Sequence, residues 1–563
     1  MTAASGRQAA RAIRTPAVRA AGLTFLVLLL VAPAVFEPHS VTSIDSAVKA
    51  AQAAELARSG YRSMAISYPG RALDPEEHFY PFEPPFVFLS AGRWQSVFSS
   101  FYAVVGALPV HLAGMAGLVA LSLLGGVLTA AAAARLPEAA TTGALLAVFA
   151  TPIWSYSLAP AETSLALAFA TASVATAAGG RGRGADWGSG VLLGVAALFR
   201  DESLLMAPGV LYARHLAGGS VRGLLHVVAG IALPVGLMAA VDQWWFQRPM
   251  LAHLRHAVPG FDALLPRARA RLPALEVMGW HDRLVTVVEY WLSGISLRAT
   301  AVAAACVAAA HLPWRGAPLL VAGAVTAAAA AHVVELTGLI GEPRIVAGLF
   351  RLAPFLLLAL LPRAGRAPAS GLMKTTWVAA ACYMAVTALT LNTEGGKPTG
   401  PRLTIALWPL LAVTAFDVLR SYAAAAARSR LDRVTAAAGA VLVLGSLLME
   451  AAVVLPARAG RVADNEEAAR VVRAIDDRVI VVDSIFEVDV LTALHFRRAV
   501  MRVHAWQVES FARAMAAQGV DRFTLVARPP GYLRAFPGYS RAEAWTPGRH
   551  VISRWVRDRP APP

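Results

Sequence analysis

The chain has 563 residues, of which 57% are hydrophobic and 15% charged, with a mean hydropathy of +0.55. A soluble protein carries about 25% charged residues, so a water-soluble globular class is excluded. The net charge of +16 does not point to nucleic acid, because most arginines lie between apolar blocks, where they act as topology determinants. Cys306 and Cys382 both fall inside apolar runs, which leaves no disulfide framework and no CxxC metal site.

The basic N-terminus "RQAARAIRTPAVRA" is followed by "AGLTFLVLLLVAPAVF". The "VAPA" resembles a signal-peptidase site, but the many later spans need no separate export signal, and an uncleaved first helix is expected. Apolar runs near the roughly 20 residues that cross a bilayer predict spans at 20–36, 112–134, 141–158, 162–179, 187–199, 202–217, 222–241, 296–311, 316–338, 344–362, 373–391, 402–420 and 434–455. With the N-terminus cytoplasmic, the basic loops 180–186, 214–222, 311–315, 363–374 and 420–433 all fall on the cytoplasmic side. Removing one middle span would invert every later loop.

The opposite face then receives the loop 37–111, the turn at Glu162, "FRDES" at 199–203, the loop 243–295, "GEPR" at 341–344, "NTEGGKPTGPR" at 392–402 and everything after 456. A charge at a span centre costs about 2.5–3.5 kcal/mol on insertion scales. Acids and isolated arginines gather instead at span ends on this one face, which predicts a polar site open to the exterior. A transporter or lipid flippase, the alternative reading, scatters ionisable groups through mid-span positions and shows repeated halves. Glu335 is the nearest mid-span candidate, and no internal repeat is evident.

Past Arg458 the apolar runs shorten. "RVIVVD" (478–483), "RAVMRVH" and "RFTLVAR" read as strands, "SIFEVDVLTALHF" and "WQVESFARAMAAQG" as helices; such alternation predicts a small α/β domain with a parallel sheet. It lacks GxGxxG after its first strand, so no dinucleotide site is expected. The predicted fold is therefore a polytopic α-helical membrane protein of about thirteen spans (1–456) with a soluble extracytoplasmic α/β domain (457–563).

The loop after the first span contains "VTSIDSAVKAAQAAELARSGYRS", a short alanine-rich helix with Asp45 at its head. Later come "GRWQSVFSSFYAVVGALPVHLAGMAGLVALSLLGG", "GVAALFRDESLLMAPGVLYA" and "GGKPTGPRLTIALWPLLAVTAF". In this order they resemble the GT-C class of integral-membrane glycosyltransferases, the group of protein O-mannosyltransferases and aminoarabinose transferases. The resemblance covers 20–455 in layout and is specific at 42–62, 188–210 and 395–410. It implies an enzyme of the cell (inner) membrane that moves a hexosyl or pentosyl unit from a polyprenyl-phosphate-linked donor to a glycan, lipid or protein acceptor among membrane lipids. The family often has an Asp-Glu pair at the head of the first-loop helix, whereas Ile44-Asp45-Ser46 offers one acid. A second acid must come from Glu76, Glu77 or Glu83, and this departure keeps a non-catalytic membrane scaffold as an alternative.

The resemblance gives Asp45 the role of general base, worth typically about 10²–10⁴-fold; as a residue it also suits the N-cap of a helix starting at Ser46. Arg402, with Lys397, and Arg344 in "GEPR" are candidates for the donor phosphate, since guanidinium and ammonium groups bind phosphate oxygens. Arg402 and Arg344 can equally snorkel at span heads. Arg200, Asp201 and Glu202 must line a wet cavity or pair within a tight hairpin, and Glu162 suits the N-terminus of its span. "LDPEEHFYPFEPPF" (73–86) places Glu76, Glu77 and His78 beside Phe79, Tyr80, Phe82 and Phe86. It is a candidate for a divalent cation or an acceptor surface, although adjacent ligands match no dedicated metal spacing; interfacial packing of the aromatics is the default.

Overall fold

The structure is a computed structural model that describes residues 3–36, 39, 41–84, 86–90, 92–247, 305–312, 316–339, 349–390, 402–484, 487–488, 490–491, 497–529 and 535–558. It opens with α1 (Ala3–Val35), the first-loop helix α2 (Ile44–Arg58) and a β1–β2 hairpin (Val87–Ser90, Arg93–Ser96). Then come α3 (Ser100–Ala113), α4 (Met115–Ala133), α5 (Thr141–Phe149), α6 (Ile153–Ser157), α7 (Thr163–Gly179), α8 (Gly182–Phe199), α9 (Ala207–Leu216) and α10 (Val221–Trp244). Among the described residues, six helices are long and apolar enough to cross a membrane: Thr15–Val35, Met115–Ala133, Val221–Trp244, Ala317–Leu339, Thr404–Ala425 and Arg430–Ala474.

Three other predicted spans are broken, and proline is the local cause. The run 141–158 splits into α5 and α6 around Pro152, and 202–217 starts as a 3-10 turn (Asp201–Met206) before Pro208 restarts it as α9. The described part of 344–362 is one turn at Leu349–Leu352 followed by a 3-10 segment from Pro354 to Leu360. Proline cannot donate the backbone bond that a continuing helix needs, but it fits a first turn. At the other extreme, the helix predicted to end at 455 runs on to Ala474 through a π-helical turn at Glu450–Val454.

The bundle closes through small residues, because lipid offers apolar helices no hydrophobic drive to associate and close backbone packing takes its place. Gly190 of α8 lies so near α10 that a Cβ there would sit 2.1 Å from the carbonyl oxygen of Val227. Between α4 and α7, Ser122 donates to the Ala161 carbonyl at 2.7 Å, Thr129 to that of Ser164 at 3.1 Å, and Ser164 back to that of Ser122 at 2.6 Å. The outer faces of α1 and α10 remain apolar and bare, with Leu30 80% exposed and Leu225, Leu233 and Leu237 also open, as lipid contact requires. The mid-span acid Glu335 is ion-paired with Arg351.

The C-terminal sheet has five strands: β3 (Val479–Val482), β4 (Ala499–Arg502), β5 (Arg522–Ala527), β6 (Tyr539–Trp545) and β7 (Val551–Arg557), in the order β4-β3-β5-β7-β6. The first three are the predicted parallel strands; β6 and β7, which add an antiparallel edge, were not anticipated. The predicted helix "WQVESFARAMAAQG" forms at Val508–Ala517, whereas most of "SIFEVDVLTALHF" lies outside the described residues.

The first loop docks against this sheet. Arg502 donates its backbone N–H to the Phe79 carbonyl at 2.9 Å and its guanidinium to Glu83, Gln507 donates to the His78 carbonyl at 3.1 Å, and Phe79 meets Phe511 edge-on at 5.3 Å. Thus the aromatics of 73–86 include contacts made to the sheet rather than to a membrane surface.

Two buried groups at the sheet's edge titrate out of their ordinary ranges. Burial, with Asp483 nearby, pushes Glu487 up to about 7 against the opposing pull of Arg528. Burial and the guanidinium groups of Arg528 and Arg549 lower His550 to about 4. A raised acid stabilises the fold fully at low pH and loses that contribution as pH rises through about 7. A lowered histidine contributes above its ordinary value and loses that as pH falls through about 4. The two slopes oppose each other between the ordinary carboxyl and imidazole ranges. Glu487→Gln is therefore expected to make the melting temperature rise more steeply with pH between about pH 4.5 and 6.5 than in the wild type; a fluorescence melt series on the full chain reads this directly.

Candidate polar site around Asp45

The first functional side chains come from α2. Ser43 holds the N-cap in an extended conformation (φ −150°, ψ 131°) and the helix starts at Ile44. Asp45 is therefore a first-turn residue, not the cap of a helix starting at Ser46. A carboxylate in the first turn still benefits from the helix dipole, by about 0.3–1 kcal/mol. Asp45 is only 5% exposed.

Lys49 follows four residues later and so shares a face of α2 with Asp45. Its ammonium is 2.7 Å from each carboxylate oxygen of Glu162 and 4.3 Å from the centre of the Phe98 ring. Glu162 precedes the first turn of α7. Its Oε1 also takes an N–H of Arg200 at 3.3 Å, and the same guanidinium nitrogen reaches the Thr163 hydroxyl at 3.1 Å. The other terminal nitrogen of Arg200 donates to Glu202 at 2.7 Å.

Arg200 ends α8, and Glu202 lies in the 3-10 turn Asp201–Met206. Two cations and two anions from three separated segments thus form one buried, alternating chain. Such a chain contributes little net stability after desolvation, but removing one member leaves a buried charge without compensation. What the network does supply is a fixed geometry: it ties the Asp45 helix to the ends of α7 and α8.

The turn that follows the late Gly-rich segment reaches the same place. The 3-10 turn Arg402–Leu407 packs on Asp201–Met206 and on α7, and Tyr383 donates its hydroxyl to the Glu202 carbonyl at 2.6 Å. Arg402 heads that turn; Lys397 and Arg344 lie outside the described residues. Asp201 is half-buried at the start of its turn.

Other expectations change. Glu162 and the Arg200 cluster, read separately as a dipole-favoured acid and a hairpin pair, are one unit. Their link is Lys49, which the sequence reading did not single out; a lone lysine four residues after Asp45 in an alanine-rich helix was the available signal.

At the candidate cation site Glu76, Glu77 and His78 do not converge. Glu77 turns to Arg71 and to the Trp94 indole N–H at 2.8 Å, while Glu76 lies 3.3 Å from His78 at the exposed surface. Among the described residues, no group of three His, Cys, Asp or Glu side chains is placed to hold a metal ion. Of the acids considered for a second role, Glu83 pairs with Arg502 of the sheet. The acid that joins the Asp45 helix through Lys49 is Glu162.

No family model matches the chain, and no curated protein sequence matches it. Among solved structures it is similar to the oligosaccharyltransferase of Archaeoglobus fulgidus in its complex with zinc and sulfate, at TM-score 0.40 and 12% identity, over 90% of this chain and 68% of that one. It is likewise similar to ArnT from Cupriavidus metallidurans, in crystal structures bound to undecaprenyl phosphate and in the apo state, each at TM-score 0.45 and 14% identity over 94% of this chain and 97% of that one.

Proposed function

We propose that the chain is a GT-C-type glycosyltransferase of the cell membrane, transferring a sugar from a polyprenyl-phosphate donor to an acceptor on the extracytoplasmic face. The observation that carries this reading is the ion-pair network Lys49–Glu162–Arg200–Glu202, anchored on the helix that carries Asp45 and next to the turn that Arg402 heads. In the thirteen-span topology these segments all lie on the extracytoplasmic side. The C-terminal sheet then belongs to the same side.

In this reading Asp45 takes the proton of an acceptor hydroxyl as its oxygen bonds to the anomeric carbon. The bond from that carbon to the phosphate oxygen breaks, and the polyprenyl phosphate leaves with the electron pair. Arg402, with Lys397 or Arg344, holds the phosphate through charge-assisted hydrogen bonds. Direct displacement inverts the anomeric centre. Lys49 and Arg200 hold Glu162 between them and keep α2 in place.

The reading is tested with membranes from cells that make or lack the protein, supplied with radiolabelled polyprenyl-phosphate hexoses and pentoses. Protein-dependent transfer to endogenous acceptor is expected from one donor. Equal counts in both membranes across the donor panel would overturn it.

A further inference from the structure

The turn after β4 carries an aromatic surface that the transfer reading leaves unused. Trp506 is 70% exposed, against the rule that so large an apolar side chain is mostly buried. It sits in the 3-10 turn Ala505–Gln507, and its ring stacks on that of His504, with centroids 5.7 Å apart and planes at 9°. Such a separation is that of an offset-stacked pair.

The pair is held from several sides. The Gln507 side chain accepts from the His504 backbone N–H at 3.1 Å and donates to the His78 carbonyl at 3.1 Å. The backbone N–H of Gln507 reaches the His504 ring. Nε2 of that ring meets the guanidinium of Arg502 and lies 3.8 Å from Glu83. The indole is thus presented on a fixed base, with the face turned away from His504 open to solvent.

What surrounds the ring narrows what can settle on it. Glu83, His504 and His78 are partly open, Glu76 lies 3.3 Å from His78 at the surface, and Glu509 and Ser510, just after Trp506 in the chain, are exposed. Among the described residues after 456, the other exposed large apolar side chain is Val556. It stands opposite Arg522 at the amino end of β5, three strands from β4 and at the other end of the sheet from Trp506. A membrane-facing surface gathers many such side chains, as on α10, where Leu233, Leu237 and Trp244 are all open. A stable protein partner covers about 800 Å² on each side, far more than one indole provides.

A single tryptophan beside hydrogen-bonding groups instead fits a small ring with an apolar face and a polar edge. A pyranose is such a ring: its C–H groups cover an aromatic face, and each hydroxyl both donates and accepts. The acids Glu76, Glu83 and Glu509 disfavour an anionic sugar, and the guanidinium on His504, that of Arg502, is buried and claimed by Glu83.

We propose that Trp506 is a stacking platform for a neutral saccharide, with His504 supporting the indole from behind and Glu83 and His78 at its rim. The inference does not rest on the transfer reading, because binding is measured without a donor.

The test uses the full chain in lipid nanodiscs on an array of neutral hexose and pentose oligosaccharides beside uronate-bearing ones. Retention of neutral glycans is expected, with affinity about tenfold weaker in Trp506→Ala and within about threefold of the wild type in Trp506→Tyr, whose ring still stacks. The side chain is exposed, so both variants should keep the circular dichroism of the wild type. Oxidative footprinting read by mass spectrometry then locates the site: the retained glycan should slow labelling of Trp506. No retention of neutral glycans, retention of anionic ones alone, or wild-type affinity in Trp506→Ala would overturn the assignment. A Trp506 already shielded in nanodiscs before glycan is added would overturn it too, making the ring a membrane contact. Asp45→Asn separates the two readings, since it should retain glycans like the wild type whatever happens to transfer.

Discussion

Asp45→Asn is expected to reduce glycosyl transfer by about 10²–10⁴-fold, the usual worth of a general base, with protein abundance and melting temperature close to those of the wild type. Asparagine keeps the size of the side chain and its place in the first turn of α2. The change forfeits a favourable dipole interaction of at most about 2 kcal/mol. Rate and stability therefore separate: a purely structural aspartate would show a small shift in melting temperature and an unchanged rate. The check is initial-rate transfer per unit of protein, alongside a thermal melt. Equal rates would make Asp45 a helix-terminus residue and move the search for the base to Glu202, the acid at the far end of the same network.

The second large effect falls on stability. Glu162→Gln removes the anion held between Lys49 and Arg200 and leaves the Lys49 ammonium buried against Phe98. Breaking a buried pair in this way costs about 3–5 kcal/mol. Arg200 keeps Glu202, so the damage centres on Lys49 and on the docking of α2. Adding Lys49→Met to Glu162→Gln is expected to recover part of the loss, because the stranded charge is then gone. Melting temperatures of the wild type, both single variants and the double variant form a cycle that isolates the coupling. Additive losses would mean that the two side chains do not support each other.

Much of the molecule was legible before any coordinates. Apolar block length marked the helices that cross a membrane, and β-branched runs such as "RVIVVD" marked the parallel strands. Both signals are local, carried by residues within one element. The prolines at 152, 208 and 354 were also plain to see, but a hydropathy reading sums across them and counts a broken segment as one span. The exposed pattern of β6 hid the antiparallel edge: residues from Ser540 to Ala544 face solvent and present no apolar run.

The sequence by itself determined a membrane-embedded helical chain, a C-terminal parallel sheet and an acid at the head of a short helix after the first span. It also placed Glu162, Arg200 and Glu202 at the ends of apolar segments, since hydration keeps charges there. Only the tertiary structure decided that these residues form one network through Lys49, that Glu77 turns to Arg71 and Trp94, and that Glu83 is claimed by Arg502. Lys49 and Glu162 are 113 positions apart, and the choice between rival partners for one charge depends on which helices pack together and how closely. Hydrophobic periodicity reports which face of a segment avoids water; it carries no record of the segment that covers that face.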